Sequence, residues 1–198
     1  NRERQIVEAA SEAKAGPGDG RDGRDGMTAA AGEGGGGGTS DGNRGAAGID
    51  GITSTALGLA TQVDDAVPVV VFTGDLALLH DIGGLLGVER AGQRLTVVCI
   101  DNDGGQIFSM LPIHDRIDAA DYETIFRTRH GVDLAQLQGL AGIDVTVVDE
   151  GDDLPAVLQA ASVKTEPGVD LVIVRIDPDH DMAVRRSITT AVGEAING

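Results

Sequence analysis

The sequence predicts an α/β fold: a doubly wound parallel sheet with helices on both faces, preceded by a disordered leader. Three observations carry this. The strand-like segments are continuous apolar runs, the mark of strands buried on both faces. They alternate with segments of helical length. Two polar motifs, Gly74-Asp75 and Asn102-Asp103-Gly104-Gly105, each follow such a run.

Residues 1–42 form the leader and residues 43–198 the folded domain. Twelve of the 30 glycines lie before position 43, five of them consecutive at 34–38. Such a segment has too little apolar surface to offset its backbone entropy. Residues 1–15 have room for a short polar helix around Ile6, Val7, Ala9 and Ala10. Beyond the leader, residues 48–61 read as a close-packed Ala/Gly/Thr-rich helix with Leu57 and Leu59. The Val-Val-Val-Phe run at 69–72 and the run 95–100 read as parallel strands. Between them, residues 76–90 have the length of a crossover helix. A loop with Ile107, Phe108, Met110 and Leu111 follows, then a segment at 122–126. A helix from about Asp133 places Leu134, Leu137 and Leu140 on one face. Residues 143–148 form a strand, and Asp152 or Asp153 caps a helix with Pro155 in its first turn. Residues 169–176 form the last strand. An amphipathic helix through Ile188, Ala191, Val192 and Ala195 closes the chain, and its start is capped from the cluster Asp177, Asp179 and Asp181. No internal repeat is visible.

Composition narrows the partners. The 198 residues (20.2 kDa) carry a net charge of −17 and a pI near 4.3, which argues against a nucleic acid or an anionic membrane surface. The single cysteine, Cys99, sits inside a Val/Ile run and reads as a buried core thiol; a lone cysteine fits a reducing compartment. The apolar runs are shorter than a membrane helix requires, and no signal-peptide pattern opens the chain, so a cytoplasmic location is expected.

Parallel strands joined by a right-handed crossover finish at one edge of the sheet, where open α/β sheets bind ligands. Asp75 and Asn102 are therefore expected to meet, and they suit a magnesium ion holding a diphosphate. Magnesium takes oxygen ligands in octahedral geometry and shares them with substrate phosphates. Asp75 offers a carboxylate, Asn102 an amide oxygen, and Gly104 a main-chain carbonyl. Gly74 lets the backbone approach the phosphates, the helix starting near Leu76 points its N-terminus at them, and Gly105 permits the turn. Ordinary turn chemistry explains either motif taken alone. An EF-hand reading of Asp101, Asp103 and Gly104 fails, because Pro112 stands where the bidentate glutamate belongs.

These residues resemble a known signature. Gly74-Asp75 followed after about 27 residues by Asn102 is similar to the cofactor motif of thiamine-diphosphate enzymes. Asn43-Arg44-Gly45-Ala46-Ala47-Gly48-Ile49-Asp50-Gly51, Leu79-His80-Asp81, Gln106-Ile107-Phe108-Ser109 and His130-Gly131 look like one branch of that family. That branch comprises the synthases of menaquinone biosynthesis, and the likeness covers the last of their three domains. The resemblance implies a thiamine-diphosphate-binding domain. Its metal, magnesium or manganese, is held by Asp75, Asn102 and the Gly104 carbonyl. Gly74, Leu76 and Gly105 lie along the cofactor, and Ile49 supports its thiazolium. Arg44, Ile107 and Phe108 stand at the reacting substrate. The implied reaction decarboxylates 2-oxoglutarate and adds the resulting unit to isochorismate, in a homo-oligomer.

Such synthases are longer chains, activated by a glutamate from a pyrimidine-binding domain. Glu3, Glu8, Glu12 and Glu33 are poor candidates for it, and the strand expected just before Asn43 is missing. The isolated chain is therefore expected to turn over little or nothing. Two competing readings remain: a diphosphate-binding subunit of a two-chain 2-oxo acid decarboxylase, and a non-catalytic remnant. His80 reads equally as a site neighbour or a solvated cap. His114, His130 and His180 are too dispersed for a zinc site.

Overall fold

The structure, a computed structural model, describes residues 27–31, 39–43, 49–63, 68–149 and 152–197. Among these, six strands form one sheet in the order β2-β1-β3-β4-β6-β5. The strands are β1 (Met27–Ala31), β2 (Thr39–Asn43), β3 (Val69–Gly74), β4 (Arg94–Asp101), β5 (Ile143–Val148) and β6 (Gly168–Arg175). β3, β4, β6 and β5 run parallel, and the apolar stretches of β3, β4 and β6 suit strands covered on both faces. β1 pairs antiparallel with both β2 and β3, so these two strands extend one side of the sheet. Both segments fall within residues read from sequence as leader or its junction, and Thr39–Asn43 occupies the place where a strand was missing. Their Ala, Gly, Thr and Ser composition carries little strand signal. The remaining leader residues, including the helix expected at 1–15 and the four glutamates, lie outside the described residues.

The sheet is covered on both faces. One layer packs α1 (Ile52–Ala60), α2 (Asp75–His80) and α3 (Ile82–Leu85) onto Val71, Leu95, Val97, Cys99, Leu171 and Ile173. After the short α4 (Ala119–Tyr122) in the chain comes α5 (Leu154–Ser162), whose Leu154, Val157 and Leu158 meet Val98, Val148, Val172 and Val174 on the other face. Alternate side chains of one strand thus feed two cores. Cys99 is fully buried in the first, as expected. Burial pushes its thiol well above the ordinary range, and the charges of Asp75 and Asp101 push it further.

The crossover expected as one helix over 76–90 is instead α2, a break at Asp81, α3 and a series of turns. Tertiary contacts explain the break. The Asp81 carboxylate leaves its own helix to accept from Thr53 Oγ1 at 2.7 Å, Ser54 N at 2.9 Å and Ser54 Oγ at 2.9 Å, capping the first turn of α1. Gly84 makes room for this: a Cβ there would stand 2.3 Å from Thr53 Oγ1 and 2.6 Å from Ser54 N.

The helix expected from Asp133 is two 3-10 turns, Leu134–Leu137 and Leu140–Gly142, divided at Gly139, whose φ is +78°. The two capping expectations hold. Asp153 Oδ1 caps α5 through Ala156 N at 3.2 Å, with Pro155 in the first turn. Asp177 Oδ1 accepts from Asp179 N and His180 N at the start of α6 (Pro178–Asn197). The apolar stripe of α6 is exposed at Ile188, Val192 and Ile196. No described helix is long and apolar enough to cross a membrane.

Candidate functional site

β3 and β4 are neighbours in parallel register, Gly74 opposite Ile100, so Asp75 and Asn102 leave the same edge of the sheet. Asp75 opens α2 and is 3% exposed. A buried carboxylate needs donors, and Asp75 finds them in the main chain. Its Oδ1 accepts from Leu76 N at 2.7 Å, its Oδ2 from Gly104 N at 2.8 Å and Asn102 N at 3.3 Å. The loop after β4 is thus folded onto the first residue after β3.

That loop needs its glycines. Gly104 has φ +116°, and a Cβ on it would stand 2.5 Å from the Arg127 carbonyl oxygen. A Cβ on Gly105 would stand 2.4 Å from the Phe126 carbonyl oxygen. The Gln106 amide donates to Gly104 O at 2.9 Å, with Gly105 at φ −77°, ψ 50°, an inverse γ-turn. The turn presents the Gly104 carbonyl beside the Asn102 side chain.

The Asn102 side-chain amide ends 2.8 Å from Gly104 O and 3.3 Å from Asp75 Oδ2. With nitrogen at that end, the amide donates to both. With oxygen there, it faces two other oxygens, and a cation bound among them would offset their repulsion. These two distances bracket the ~3 Å edge of an octahedron built on magnesium–oxygen bonds. A carboxylate, an amide oxygen and a main-chain carbonyl are hard donors of the kind magnesium and manganese take. The residues fit a divalent cation.

Two further groups stand around this centre. His130 Nε2 lies 3.2 Å from Asp75 Oδ2 and 4.0 Å from Asp101 Oδ1. Asp75, Asp101 and His130 could by proximity hold a metal themselves. However, His130 Nδ1 accepts from Val132 N at 2.9 Å, which leaves the proton on Nε2 and makes that nitrogen a donor to Asp75. His130 therefore orients the carboxylate. Burial raises the pKa of Asp101 above the ordinary carboxylate value; the Asp103 amide opposes this, the Asp75 charge reinforces it, and His130 and Arg175 oppose it.

The sequence-derived residues divide as follows. Asp75, Asn102 and Gly104 come together, with Gly74 and Leu76 bracketing Asp75 and Gly105 completing the turn. Ile107 (54% exposed) and Phe108 (37%) follow it in the chain, and Met110, Leu111 and Ile125 are exposed as well. Phe108 meets Phe126 edge to face at 5.9 Å. Ile49 packs half-buried against the core cluster that includes Ile52 and Leu78. Arg44 lies outside the described residues. His80 ends α2, exposed. His130, which the family resemblance picked out only as the pair His130-Gly131, is carried by folding across 55 residues to Asp75, and no group of histidines forms among the described residues. Arg127, buried against the loop, had no sequence signal.

Residues 44–174 match the thiamine pyrophosphate enzyme C-terminal TPP binding domain. Three curated relatives carry the name 2-succinyl-5-enolpyruvyl-6-hydroxy-3-cyclohexene-1-carboxylate synthase. The one from Haloarcula marismortui is 43% identical over 76% of this chain and 24% of its own length. Those from Myxococcus xanthus and Thermobifida fusca are each 42% identical, over 71% and 75% of this chain and 23% and 26% of theirs. The chain spans about a quarter of the length of the curated relatives it matches.

Proposed function

This chain belongs to the thiamine pyrophosphate enzymes as their C-terminal cofactor-binding domain, and on that premise we propose that it is the diphosphate- and magnesium-binding part of a 2-succinyl-5-enolpyruvyl-6-hydroxy-3-cyclohexene-1-carboxylate synthase. The observation that carries the reading is the convergence of Asp75 Oδ2, Gly104 O and the Asn102 side-chain amide at one sheet edge. Asp75, Asn102 and Gly104 would hold the cation, and the cation would hold the diphosphate. Gly74 and Leu76 at the start of α2, with Gly105, would form the floor beneath it.

When bound, thiamine diphosphate supplies the electron sink that lets a 2-oxo acid lose carbon dioxide. This chain's residues bind and orient. His130 keeps the Asp75 carboxylate turned toward the loop, and Ile107 and Phe108 line the side where 2-oxoglutarate and isochorismate would react. Arg44 would pair with a substrate carboxylate through its planar fork. The exposed apolar stretch from Ile107 to Leu111 is suited to a pyrimidine-binding domain, which would also supply the activating glutamate in the assembled enzyme.

Titration calorimetry of the chain with thiamine diphosphate tests the proposal. Heat should appear with magnesium and vanish without it, and Asp75→Ala should abolish it. Magnesium-dependent binding by Asp75→Ala at unchanged affinity would refute the assignment. Decarboxylation of 2-oxoglutarate is expected only when a pyrimidine-binding domain is added; brisk turnover by the chain alone would contradict it.

A further inference from the structure

Arg127 heads the fully buried side chains among the described residues, at 1% exposed. It ends a π-helical turn, Glu123–Arg127, and Thr128 after it turns left-handed at φ 41°, ψ 55°. A guanidinium brought out of water needs acceptors. Nη2 donates to the Asn102 carbonyl at 2.5 Å, while Nη1 has no partner among the described residues. No carboxylate pairs with this side chain among the described ion pairs. Its work is therefore done on a main-chain carbonyl of the loop after β4.

The same residue grips that loop a second time. The Gly105 amide donates to the Arg127 carbonyl at 2.7 Å. Gly104 C=O and Gly105 N–H belong to one trans peptide and so point in opposite directions. Anchoring the N–H on Arg127 sends the Gly104 carbonyl the other way, toward the Asn102 amide and Asp75. The two bonds flank Gly104, one at Asn102 O and one at Gly105 N. Gly104 itself fits only because it lacks the Cβ that would strike Arg127 O.

We propose that Arg127 is a positioning residue for the divalent cation: its side chain on Asn102 O and its carbonyl on Gly105 N–H fix the peptide that aims Gly104 O at the metal. The proposal rests on the cation-site reading above. Metal-site positioning of this kind is worth roughly 10–100-fold in affinity. Arg127→Met keeps the volume and the main-chain bond but leaves Asn102 O unpaired. Arg127→Lys restores one donor.

The test compares these variants with Val169→Ala, a buried change at the opposite end of β6 from the site. Manganese-dependent binding of thiamine diphosphate is measured by calorimetry, and exchange of the Gly104 and Gly105 amides by NMR in the metal-free chain. Arg127→Met should weaken binding about tenfold or more and speed exchange of both amides, Arg127→Lys should recover part of each, and Val169→Ala should change neither. If Arg127→Met fails to fold, Arg127→Lys alone must show the weakening relative to the wild type. Wild-type affinity and exchange in the arginine variants, with normal metal dependence in the parent, overturn this proposal alone. A parent chain with no metal-dependent binding overturns the cation site and the proposal together.

Discussion

The Asp75 carboxylate accepts the Gly104 amide at 2.8 Å across 29 residues, joining the exit of β3 to the exit of β4. The bond requires the loop to pass through φ +116° at Gly104, which places the residue in a region that side chains avoid, directly against the Arg127 carbonyl. The proposed cation site and the packing of the loop therefore meet at one glycine.

Gly104→Ala should accordingly destabilise the fold by at least about 2 kcal/mol, combining backbone strain with the clash at 2.5 Å. It should also remove magnesium-dependent cofactor binding at temperatures where the variant is folded. Thermal unfolding and calorimetry measure the two effects. Wild-type affinity in folded Gly104→Ala would show that this peptide carries no ligand.

Gly84 gives the complementary case, a glycine needed for packing whose close neighbours are Thr53 and Ser54 and none of the proposed cation ligands. Its missing Cβ lets α3 lie against Thr53 and Ser54. Gly84→Ala should cost about 1–3 kcal/mol, a fall of several degrees in the unfolding midpoint. Cofactor affinity should survive in the folded protein. An unchanged midpoint would mean that α1 and α3 separate more easily than the contacts imply.

These cases show which features were legible in the sequence. Residues 95–100 read as a strand because a strand buried on both faces leaves an unbroken apolar run; β4 spans Arg94–Asp101. Asp75 and Asn102 were legible as a pair because strand ends on one edge converge whatever the loops do. Arg127 was not, nor was the contact of His130 with Asp75, since these partners, a carbonyl and a carboxylate, are reached through a π turn and a left-handed Thr128, neither of which has a periodic signature. The broken crossover was hidden for a related reason. Asp81 reads as an ordinary helical residue until α1 offers it two hydroxyls and an amide.

Cys99 should resist alkylation and disulfide exchange reagents in the folded chain. Its thiol is fully buried, and burial together with the charges of Asp75 and Asp101 disfavours the thiolate. Reaction should appear only with global unfolding, at the rate measured by denaturant-dependent labelling. Rapid labelling under native conditions would show that β4 opens locally.

Asp81 supplies a pH dependence whose sign can be worked out. Burial of its carboxyl acts to raise the pKa, but the hydrogen bonds from the Ser54 amide and the Thr53 and Ser54 hydroxyls outweigh it, leaving the folded value below the ordinary 3.8. A carboxylate held lower in the folded state adds stability that is fully present above the unfolded value. That contribution disappears as pH falls through about 3.8 and on past the folded value. The wild type should therefore lose stability toward acid more steeply than Asp81→Asn, and the difference between them should shrink below pH 4. Asp81→Asn keeps an acceptor oxygen for α1 yet cannot titrate, so it should be less stable at pH 7 and nearly equal to the wild type at the acid end. Denaturant midpoints measured from pH 7 down to pH 3 decide it. Parallel stability curves for the two proteins across that range would mean that the Asp81 cap contributes no proton-linked stability to the contact between α1 and the crossover.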